Sequence, residues 1–597
     1  MPPVQDKSKP RGGSWHRLLA CVHPEQPGHR PKACATDLAA LAVAVALLAG
    51  LCALSGMPTP WPFDHFSDMH VLMAGENFAT YGFARLHFLP VLHLGGIGPE
   101  PQYYLHYPPL PYVINGLWQA AGVRSLPVLR CISSTLYVAG LYCLYAALAP
   151  LIGRLAALCG LAFLATCRYS YLFGQSLHAH PYNFLFLGLF LLLFLRVLEE
   201  DGRGRRWKWA GCWAVLFLGS LTTFEFIMYC QVFAWAYALL ARRARGNLAG
   251  LLLLATAPLA GVGLHFAQNV WAIGWEAAWA DRLGFQHIAT QGARLGIASL
   301  LPLLYSRTVD FLFLPLPVLP LVGAAALALA YRVRPAGVQV EKAAAAFWAL
   351  TLAGSTWYLA MPGHVHPHPH TVNQLVPLSF AAVGGGIGVV VWGAYAVRSW
   401  MLRAAVLMAL LVLGEGQYRY LRQALEQNRT LPDSVTAEAL SVEALPADTA
   451  IAHNSVAEAQ VAYYLRRPTW RSPREGYSRF PESLESLTKA CPPSYKLGHY
   501  LFFAPAYDES VETLKFLAAN CPGRLAHVPF SRKPERYVIL FDISELHRPP
   551  QLRRPLDPSL RDEQLQGTFE QWTIPNFPQR ILKAYEGQVG QPMRIEK

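Results

Sequence analysis

Long apolar runs alternate with short polar segments over most of the first 415 residues. The runs are roughly 18 to 22 residues long, the length that a helix needs to cross about 30 Å of hydrocarbon. The sequences between them lack the amphipathic pattern of a large soluble helical protein. An α-helical polytopic membrane protein with about 11 spans is therefore predicted. The candidate spans are residues 37–57, 126–149, 153–170, 182–198, 208–223, 226–241, 248–266, 310–330, 344–361, 375–396 and 402–414.

Basic residues collect in every second loop. If the N-terminus is cytoplasmic, the inner loops carry the basic clusters 203–208, 242–245, 332–342 and 398–403. This distribution agrees with the positive-inside rule. It predicts a cytoplasmic basic tail, residues 1–36, and a membrane domain, residues 37–414. The segments predicted to lie outside are 58–125, 265–309 and the chain after 415.

The chain from residue 415 to 597 has the pattern of a separate soluble domain. ADTAIAHN, GHYLFFAPA and ERYVILFDI are predicted to be strands, and SVAEAQVAYYLRR and DESVETLKFLAAN to be helices. This alternation predicts a small extracytoplasmic α/β domain. Cys491 and Cys521 lie in it, and a disulfide between them is expected on the oxidising side of the membrane.

Composition supports a membrane protein and argues against nucleic acid as a partner. Of the 597 residues, 53% are hydrophobic and 15% are charged, whereas soluble proteins carry about 25% charged residues. The net charge of +13 would suggest nucleic acid in a soluble chain. Here it follows from the basic loops, so no nucleic-acid partner is expected. The eleven cysteines include no CxxC pair, so the sequence contains no evidence for a zinc-binding or redox motif.

Acidic residues follow the first apolar run, in WPFDHFSDMHVLMAGENFATYGF, residues 61–83. Apolar positions in 68–79 recur at helical spacing, which predicts a helix on the outer membrane face. Asp68 would then lie in its first turn with Ser67 as the N-cap. Taken alone, Asp68 is best explained as a cap or as a partner of the helix dipole.

A histidine-rich motif, MPGHVHPHPHTVNQ, occupies residues 361–374. Its prolines disfavour a helix, so His364, His366, His368 and His370 are expected on one side of an extended segment. Substrate contact and a purely structural loop are both open interpretations, and a zinc or copper site is a third. His178 and His180, in GQSLHAHPY, are candidates for the same outer cavity.

The outer segment ends in YYLHYPPLPYVINGLWQ, residues 103–119. The order of one span, an acidic helix, Pro-Pro-Leu, further spans and an outer C-terminal domain resembles the type C membrane glycosyltransferases. That group includes the protein O-mannosyltransferases, the lipid A aminoarabinose transferases and the rhizobial galacturonosyl transferases. The layout covers most of the chain, but the motifs cover only residues 60 to 115.

Two positions depart from the family pattern. Where the family often has two adjacent acids, this chain has Ser67 and Asp68. Asp68 is therefore the first candidate for the general base, and Asp64 the second. The aminoarabinose transferases have Lys directly before the prolines, in contact with the donor phosphate. This chain has Tyr107 there, preceded by His106.

The resemblance implies a transferase that takes a sugar from a polyprenyl-phosphate donor. The acceptor, a glycolipid, glycan or protein, would be glycosylated at the outer face, and a carboxylate would take the proton of its hydroxyl. Arg85 and Arg282 are candidates to hold the donor phosphate, and His106 and Tyr107 to contact it. Glu225 either faces the donor cavity or is an interfacial acid. No cofactor is required, and a divalent metal is an option.

The remaining expectations concern location and competing functions. The resemblance favours a bacterial inner membrane with the site facing outward, where membrane lipids are further partners. A transporter or flippase of lipid-linked glycans is one alternative. It would place polar residues near the middle of the membrane, whereas here they concentrate in outer loops. A polysaccharide polymerase or ligase is another, although these commonly carry their long outer loop late in the chain.

Overall fold

The computed structural model describes residues 35–55, 62–92, 94, 101, 103–199, 204–291, 297–312, 317–333, 338–365 and 369–396, scattered residues between 400 and 422, and residues 448–453, 469–471, 495–504, 517, 523–527 and 537–543. The chain forms two compact units. The first comprises Met1–Met57, His87–Leu89 and Leu105–Glu426, and the second Pro58–Leu86, Pro90–Tyr104 and Gln427–Lys597. The domain boundaries drawn from the sequence stay a prediction.

Helices dominate the described chain. They are α1 (Ala35–Leu54), α2 (Pro62–Tyr81), α3 (Leu110–Ala120), α4 (Leu126–Ile152), α5 (Arg154–Thr166), α6 (Arg168–Phe173), α7 (Ala179–Val197), α8 (Gly204–Ser220), α9 (Phe224–Leu240), α10 (Ala244–Ile273), α11 (Trp275–Gln291), α12 (Ile297–Leu312), α13 (Val318–Val333), α14 (Val340–Ala360), α15 (Pro362–Val365) and α16 (Val376–Ala396), with a 3-10 helix at Pro369–Leu375. All except α2 belong to the first unit, which we call the membrane unit.

Within the described residues, five segments are long and apolar enough to cross a membrane: Ala35–Leu54, Leu126–Ile152, Ala179–Val197, Ala244–Ile273 and His370–Val391. Three shorter apolar helices accompany them, at Arg154–Thr166, Phe224–Leu240 and Val318–Arg332. The chain is an integral membrane protein, as its apolar pattern predicted. Most of the candidate span 402–414 lies outside the described residues.

The sequence misplaced some helix boundaries. The predicted span 310–330 is wrong at its start, because residues 310–312 end α12 and α13 begins at Val318. Helices α3, α11 and α12 were not predicted. Polar residues interrupt the apolar character of α11 and α12, so neither resembles a membrane span. Helix α3 starts directly after Pro108 and Pro109, and Pro111 stands in its first turn, where the fixed φ of proline suits a helix.

Small residues allow the helices of the membrane unit to pack closely. Gly140 of α4 faces the backbone of Phe184, and Gly188 of α7 faces the carbonyl of Gly140. A Cβ at either position would overlap backbone atoms of the other helix. Close backbone approach through small residues is typical of helix packing in membranes.

The second unit contains α2 and a five-stranded sheet. Its strands are β1 (Thr449–His453), β2 (Thr469–Arg471), β3 (Lys496–Ala504), β4 (Gly523–His527) and β5 (Tyr537–Asp542), in the order β2-β1-β3-β5-β4. The pairings of β1 with β2 and β3 are parallel, and those of β5 with β3 and β4 are antiparallel. The predicted strands β1, β3 and β5 are confirmed. The predicted helices between them, and Cys491 and Cys521, lie outside the described residues.

Helix α2 ends at a glycine, and the following chain folds back along it. Gly82 adopts φ +89°, the left-handed conformation that glycine accepts after a helix, and its N–H donates to Phe78 O at 3.0 Å. The Asn77 side chain donates to Val91 O at 2.9 Å, and Val91 pairs with Tyr103 in an antiparallel bridge. The outer segment is therefore tied to the helix that carries Asp68.

Replacement of Gly140 by Ala is expected to lower stability by about 1–3 kcal/mol, since the added methyl group must push two packed backbones apart. Gly263→Ala is the matched control, because no atom lies within 4 Å of its would-be Cβ. Thermal unfolding of both purified variants in detergent measures the difference. Equal melting temperatures would contradict the close packing of α4 and α7.

Candidate functional site

Four parts of the membrane unit bring polar side chains together. They are the segment before α3, the start of α7, the first turn of α9 and the segment 361–375. We call the group the His–Glu cluster; its members are Tyr107, His178, His180, Glu225, His364 and His370. The sequence nominated every one of them, and the structure brings them together.

Glu225 is the acid of the cluster. Thr223 caps α9, its hydroxyl accepting from Phe226 N at 3.4 Å, so Glu225 falls in the first turn, where the helix dipole favours a negative charge. The side chain is only 2% exposed. Its Oε1 lies 3.7 Å from His364 Nδ1 and 3.8 Å from His370 Nε2, and has no hydrogen-bond partner among the described residues. Glu225 therefore faces histidines inside the protein and is not a solvated interfacial acid.

His364 links this acid to the Pro-Pro-Leu motif. The indole N–H of Trp357 donates to His364 Nδ1 at 3.2 Å. An indole is only a donor, so Nδ1 is an acceptor and the proton of the neutral ring is on Nε2. Nε2 contacts Tyr107 Oη. The histidine thus donates to the tyrosine, which directs the tyrosine's own proton away from His364.

His178 and His180 complete the cluster from the start of α7. His178 Nε2 is 3.2 Å from Tyr112 Oη in α3, and its ring packs edge-on to that of Tyr107. Burial, with a smaller contribution from His370, lowers the pKa of His178 to about 3. His178 is therefore uncharged at neutral pH. The rings of His180 and His370 are 4.8 Å apart between centroids.

The histidine-rich segment is not extended, which corrects the sequence prediction. Pro362–Val365 forms one helical turn and Pro369–Leu375 a 3-10 helix. Proline is accepted in a first helical turn, so these prolines begin helices instead of preventing them. The segment is held in place by Arg307, which donates to Val365 O, and by Tyr358, whose hydroxyl donates to Thr371 O at 2.7 Å. His366 and His368 lie outside the described residues.

Asp68 lies in the second unit and is completely buried. Helix α2 begins at Pro62, six residues before Asp68, so the prediction that Asp68 occupies the first turn with Ser67 as N-cap is wrong. A role as a cap does not explain this acid. Asp64 is in the first turn of α2, and its side chain is outside the described residues. Arg85 is exposed, with its guanidinium carbon 5.8 Å from the Tyr81 ring centroid.

The other two nominated residues lie in the membrane unit. His106 Nδ1 is 3.5 Å from Asp281 Oδ1, and the His106 side chain is 47% exposed. The Arg282 guanidinium carbon is 5.0 Å from the ring centroid of Phe224. Both therefore lie near elements of the cluster: His106 precedes Tyr107, and Phe224 precedes Glu225. Within the described part of the chain, no group of three or more His, Cys, Asp or Glu side chains has the arrangement of a metal site.

Sequence reasoning missed the residues that position the cluster. Trp357 and Tyr358 fall inside the predicted span 344–361, and nothing in their spacing distinguishes them from other residues of that span. Tyr112 is hidden in the apolar pattern of α3. Thr223 could have been found, because a threonine just before a helical apolar run is an N-cap signal.

Comparison with solved structures identifies the fold. ArnT from Cupriavidus metallidurans, bound to undecaprenyl phosphate, is 14% identical, and the match covers 86% of this chain and 99% of that chain with a TM-score of 0.53. AglB, the oligosaccharyltransferase of Archaeoglobus fulgidus, in complex with an inhibitory peptide and a dolichol-phosphate, is 11% identical over 78% of this chain and 69% of its own, with a TM-score of 0.46. No family model and no curated protein sequence matches the chain. The match to ArnT confirms the fold expected from the resemblance.

Acidification is expected to destabilise the folded chain through His178. An unfolded chain takes up a proton at this ring as the pH falls through 6.5, whereas the folded chain does so only near pH 3. The contribution of neutral His178 to the free energy of unfolding is therefore fully present above pH 6.5 and is lost progressively as the pH falls below that value. Melting temperatures measured between pH 7.5 and 5 should fall less for His178→Asn than for the wild type. An equal fall in both proteins would contradict a partly buried His178 that stays neutral in the folded chain.

Proposed function

We propose that this chain, which has the fold of ArnT, is a glycosyltransferase that uses a polyprenyl-phosphate-linked sugar. It transfers that sugar to a glycolipid, glycan or protein acceptor at the outer face of the membrane, in a bacterial inner membrane. The ArnT structure holds undecaprenyl phosphate, which favours a lipid-phosphate donor for this chain too. No cofactor is required for this chemistry, and a divalent metal stays an option.

The observation that carries the proposal is the contact of Tyr107 with His364, beside buried Glu225. Tyr107 directly precedes the Pro-Pro-Leu motif, on which the family resemblance depends, and His364 follows it by 257 residues. The fold therefore brings the motif to a polar cluster at the ends of apolar helices. A donor whose lipid tail lies among such helices would present its head group at helix ends of this kind.

The reaction needs one base and a set of donors to the leaving group. The acceptor oxygen attacks C1 of the sugar as the bond from C1 to the phosphate oxygen breaks, and the electron pair of that bond stays on the phosphate. The acceptor hydroxyl gives its proton to Asp68, or to Asp64 as the second choice. Arg282, with its fixed charge, and Tyr107, with its hydroxyl, are the donors we assign to the phosphate.

The aminoarabinose transferases have a lysine, a fixed cation, directly before their prolines. The His–Glu cluster has no such cation, because the residue at this position is Tyr107 and the neighbouring His178 is neutral. The phosphate charge must then be matched by arginine. Arg282 is in the membrane unit, close to Phe224 at the start of α9. Arg85, in the second unit, is the other candidate.

Asp68→Asn is expected to lower transfer by about 10²–10⁴-fold, the usual contribution of a general base. The measurement compares envelope glycolipids and glycans by mass spectrometry in the native host after deletion, and after restoration with the wild type or with Asp68→Asn. One sugar mass should vanish on deletion and return only with the wild type. Asp64→Asn serves as the comparison variant.

Full restoration by Asp68→Asn, with Asp64→Asn inactive, would move the base to Asp64. A deletion strain with unchanged glycans and glycolipids would contradict the transferase itself and favour a transporter. Immunoblots of the restored strains ensure that each variant is present at the wild-type level.

Tyr107→Phe is expected to lower transfer by about tenfold or more, since it removes a hydroxyl directed at the leaving group. Tyr103→Phe is the matched control, a tyrosine of the same segment that pairs with Val91 through its backbone. The same host assay gives both values. If the two variants behave alike, the hydroxyl of Tyr107 has no role in transfer.

A further inference from the structure

Two helices of the membrane unit bring a pair of cysteines together. Helix α1 packs against α4; Cys52 lies in the last turn of α1, and Cys131 lies in the second turn of α4. The Cys52 and Cys131 side chains are hydrogen-bonded to each other. Both are thiols in this structure, and both are half-buried, so a reagent from solution can reach them. We call these two residues the cysteine pair.

Further hydrogen bonds hold the helix ends around the cysteine pair. The Cys131 thiol donates to the Ser55 hydroxyl at 3.5 Å, and this hydroxyl donates to Cys52 O at 2.7 Å. The buried guanidinium of Arg130 donates to Ser55 O at 3.2 Å, next to the last turn of α1, where the helix dipole favours a cation. The contact between the two thiols is therefore part of a defined arrangement of α1 and α4.

The predicted topology places the cysteine pair near the outer face of the membrane. Helix α1 is the first span, and the chain returns to the membrane in α4 only after the predicted outer segment 58–125. The end of α1 and the start of α4 are therefore both expected at the outer side. Disulfides form and persist on that side of a bacterial inner membrane, whereas the cytosol keeps thiols reduced.

We propose that Cys52 and Cys131 are joined by a disulfide that links α1 to α4. The reaction is a thiol–disulfide exchange with an oxidant protein that carries a disulfide of its own. The thiolate of one cysteine attacks a sulfur of the oxidant, which forms a mixed disulfide and releases the other oxidant sulfur as a thiolate. The thiolate of the second cysteine then attacks the mixed disulfide. The S–S bond between Cys52 and Cys131 forms, and the oxidant leaves as a dithiol that carries the two protons lost by the cysteines.

The disulfide would close a long loop of functional importance. Residues 52–131 include Asp64, Asp68 and the Pro-Pro-Leu motif. A cross-link that closes a long loop stabilises a protein mainly by restricting its unfolded chain. The inference goes beyond the proposed function, because it depends on the predicted topology and not on sugar transfer.

A second pair of neighbouring cysteines serves as an internal control. Cys212 of α8 and Cys230 of α9 interact with each other, and both are completely buried. The thiolate is the reactive form of cysteine, and a charge is unfavourable inside a membrane protein away from water. An oxidant protein also cannot reach a buried sulfur. Cys212 and Cys230 are therefore expected to stay thiols.

Differential alkylation tests the proposal. Native host cells that produce the full chain are lysed and denatured in N-ethylmaleimide, which blocks every free thiol. After removal of this reagent, disulfides are reduced and the released thiols are labelled with iodoacetamide. Mass spectrometry of the digested protein should find the second label on Cys52 and Cys131 in most molecules, and the first label on Cys212 and Cys230. Without reduction, the digest should contain two peptides linked through Cys52 and Cys131.

Variants show whether the two cysteines depend on each other. Cys52→Ser should leave Cys131 with the first label, and Cys131→Ser should do the same for Cys52. Cys212→Ser is the matched control and should keep the linkage between Cys52 and Cys131. Dithiothreitol should lower the melting temperature of the purified wild type by several degrees more than that of Cys52→Ser, because only the wild type has this loop to open.

The possible results separate this inference from the proposed function. The first label on both Cys52 and Cys131 of the wild type overturns the disulfide, as does linkage of either residue to another cysteine. Equal oxidation of Cys212 and Cys230 also overturns it, because the reaction would then not select the exposed pair. None of these results bears on sugar transfer, which the comparison of host glycans tests by itself.

Discussion

A carboxylate that is buried at the end of an apolar helix must be matched by polar groups of the protein, because hydrocarbon offers it nothing. Glu225 is such a group, and the segment 361–375 is arranged around it. The polar partners of the segment, Trp357 and Tyr358 on α14, thus hold it where His364 and His370 face the acid.

This constraint also connects distant parts of the chain. His364 cannot turn without losing the hydrogen bond from Trp357, and its other nitrogen contacts Tyr107. The orientation of the tyrosine before Pro-Pro-Leu is therefore fixed by a tryptophan 250 residues further along the chain. The aminoarabinose transferases, whose motif this segment resembles, have a lysine and therefore a charge at this position. In this chain a polar network orients the hydroxyl of Tyr107, and the proposed function assigns the charge that a phosphate needs to arginine.

The sequence predicted those features that depend on local pattern. Apolar runs located most helices of the membrane unit, and alternating apolar residues located β1, β3 and β5. Strands β2 and β4 were not predicted, because their sequence pattern is weak. β2 has only three residues, and β4, GRLAH, is too polar and too short to be distinguished from a loop. The prediction of an extended histidine-rich segment was wrong, since proline can begin a helix as well as prevent one.

The candidate site could be predicted only as a set of residues. The histidines, Glu225 and Tyr107 were identified by type, but no local rule relates residues that are separated by 257 positions. The burial of Asp68 likewise depends on packing that spacing does not reveal. The supporting tryptophan and tyrosine were missed because their role is defined by what they touch.

The central claim is that the membrane unit binds a polyprenyl phosphate head group next to the Pro-Pro-Leu motif. A cryo-EM structure of the full chain in nanodiscs with undecaprenyl phosphate tests it most directly. We expect phosphate density within hydrogen-bonding distance of Arg282, with the lipid tail among the helices of the membrane unit. A head group at the opposite membrane face, beside Arg205 and Lys208 at the start of α8, would contradict it, as would no bound lipid at saturating concentration.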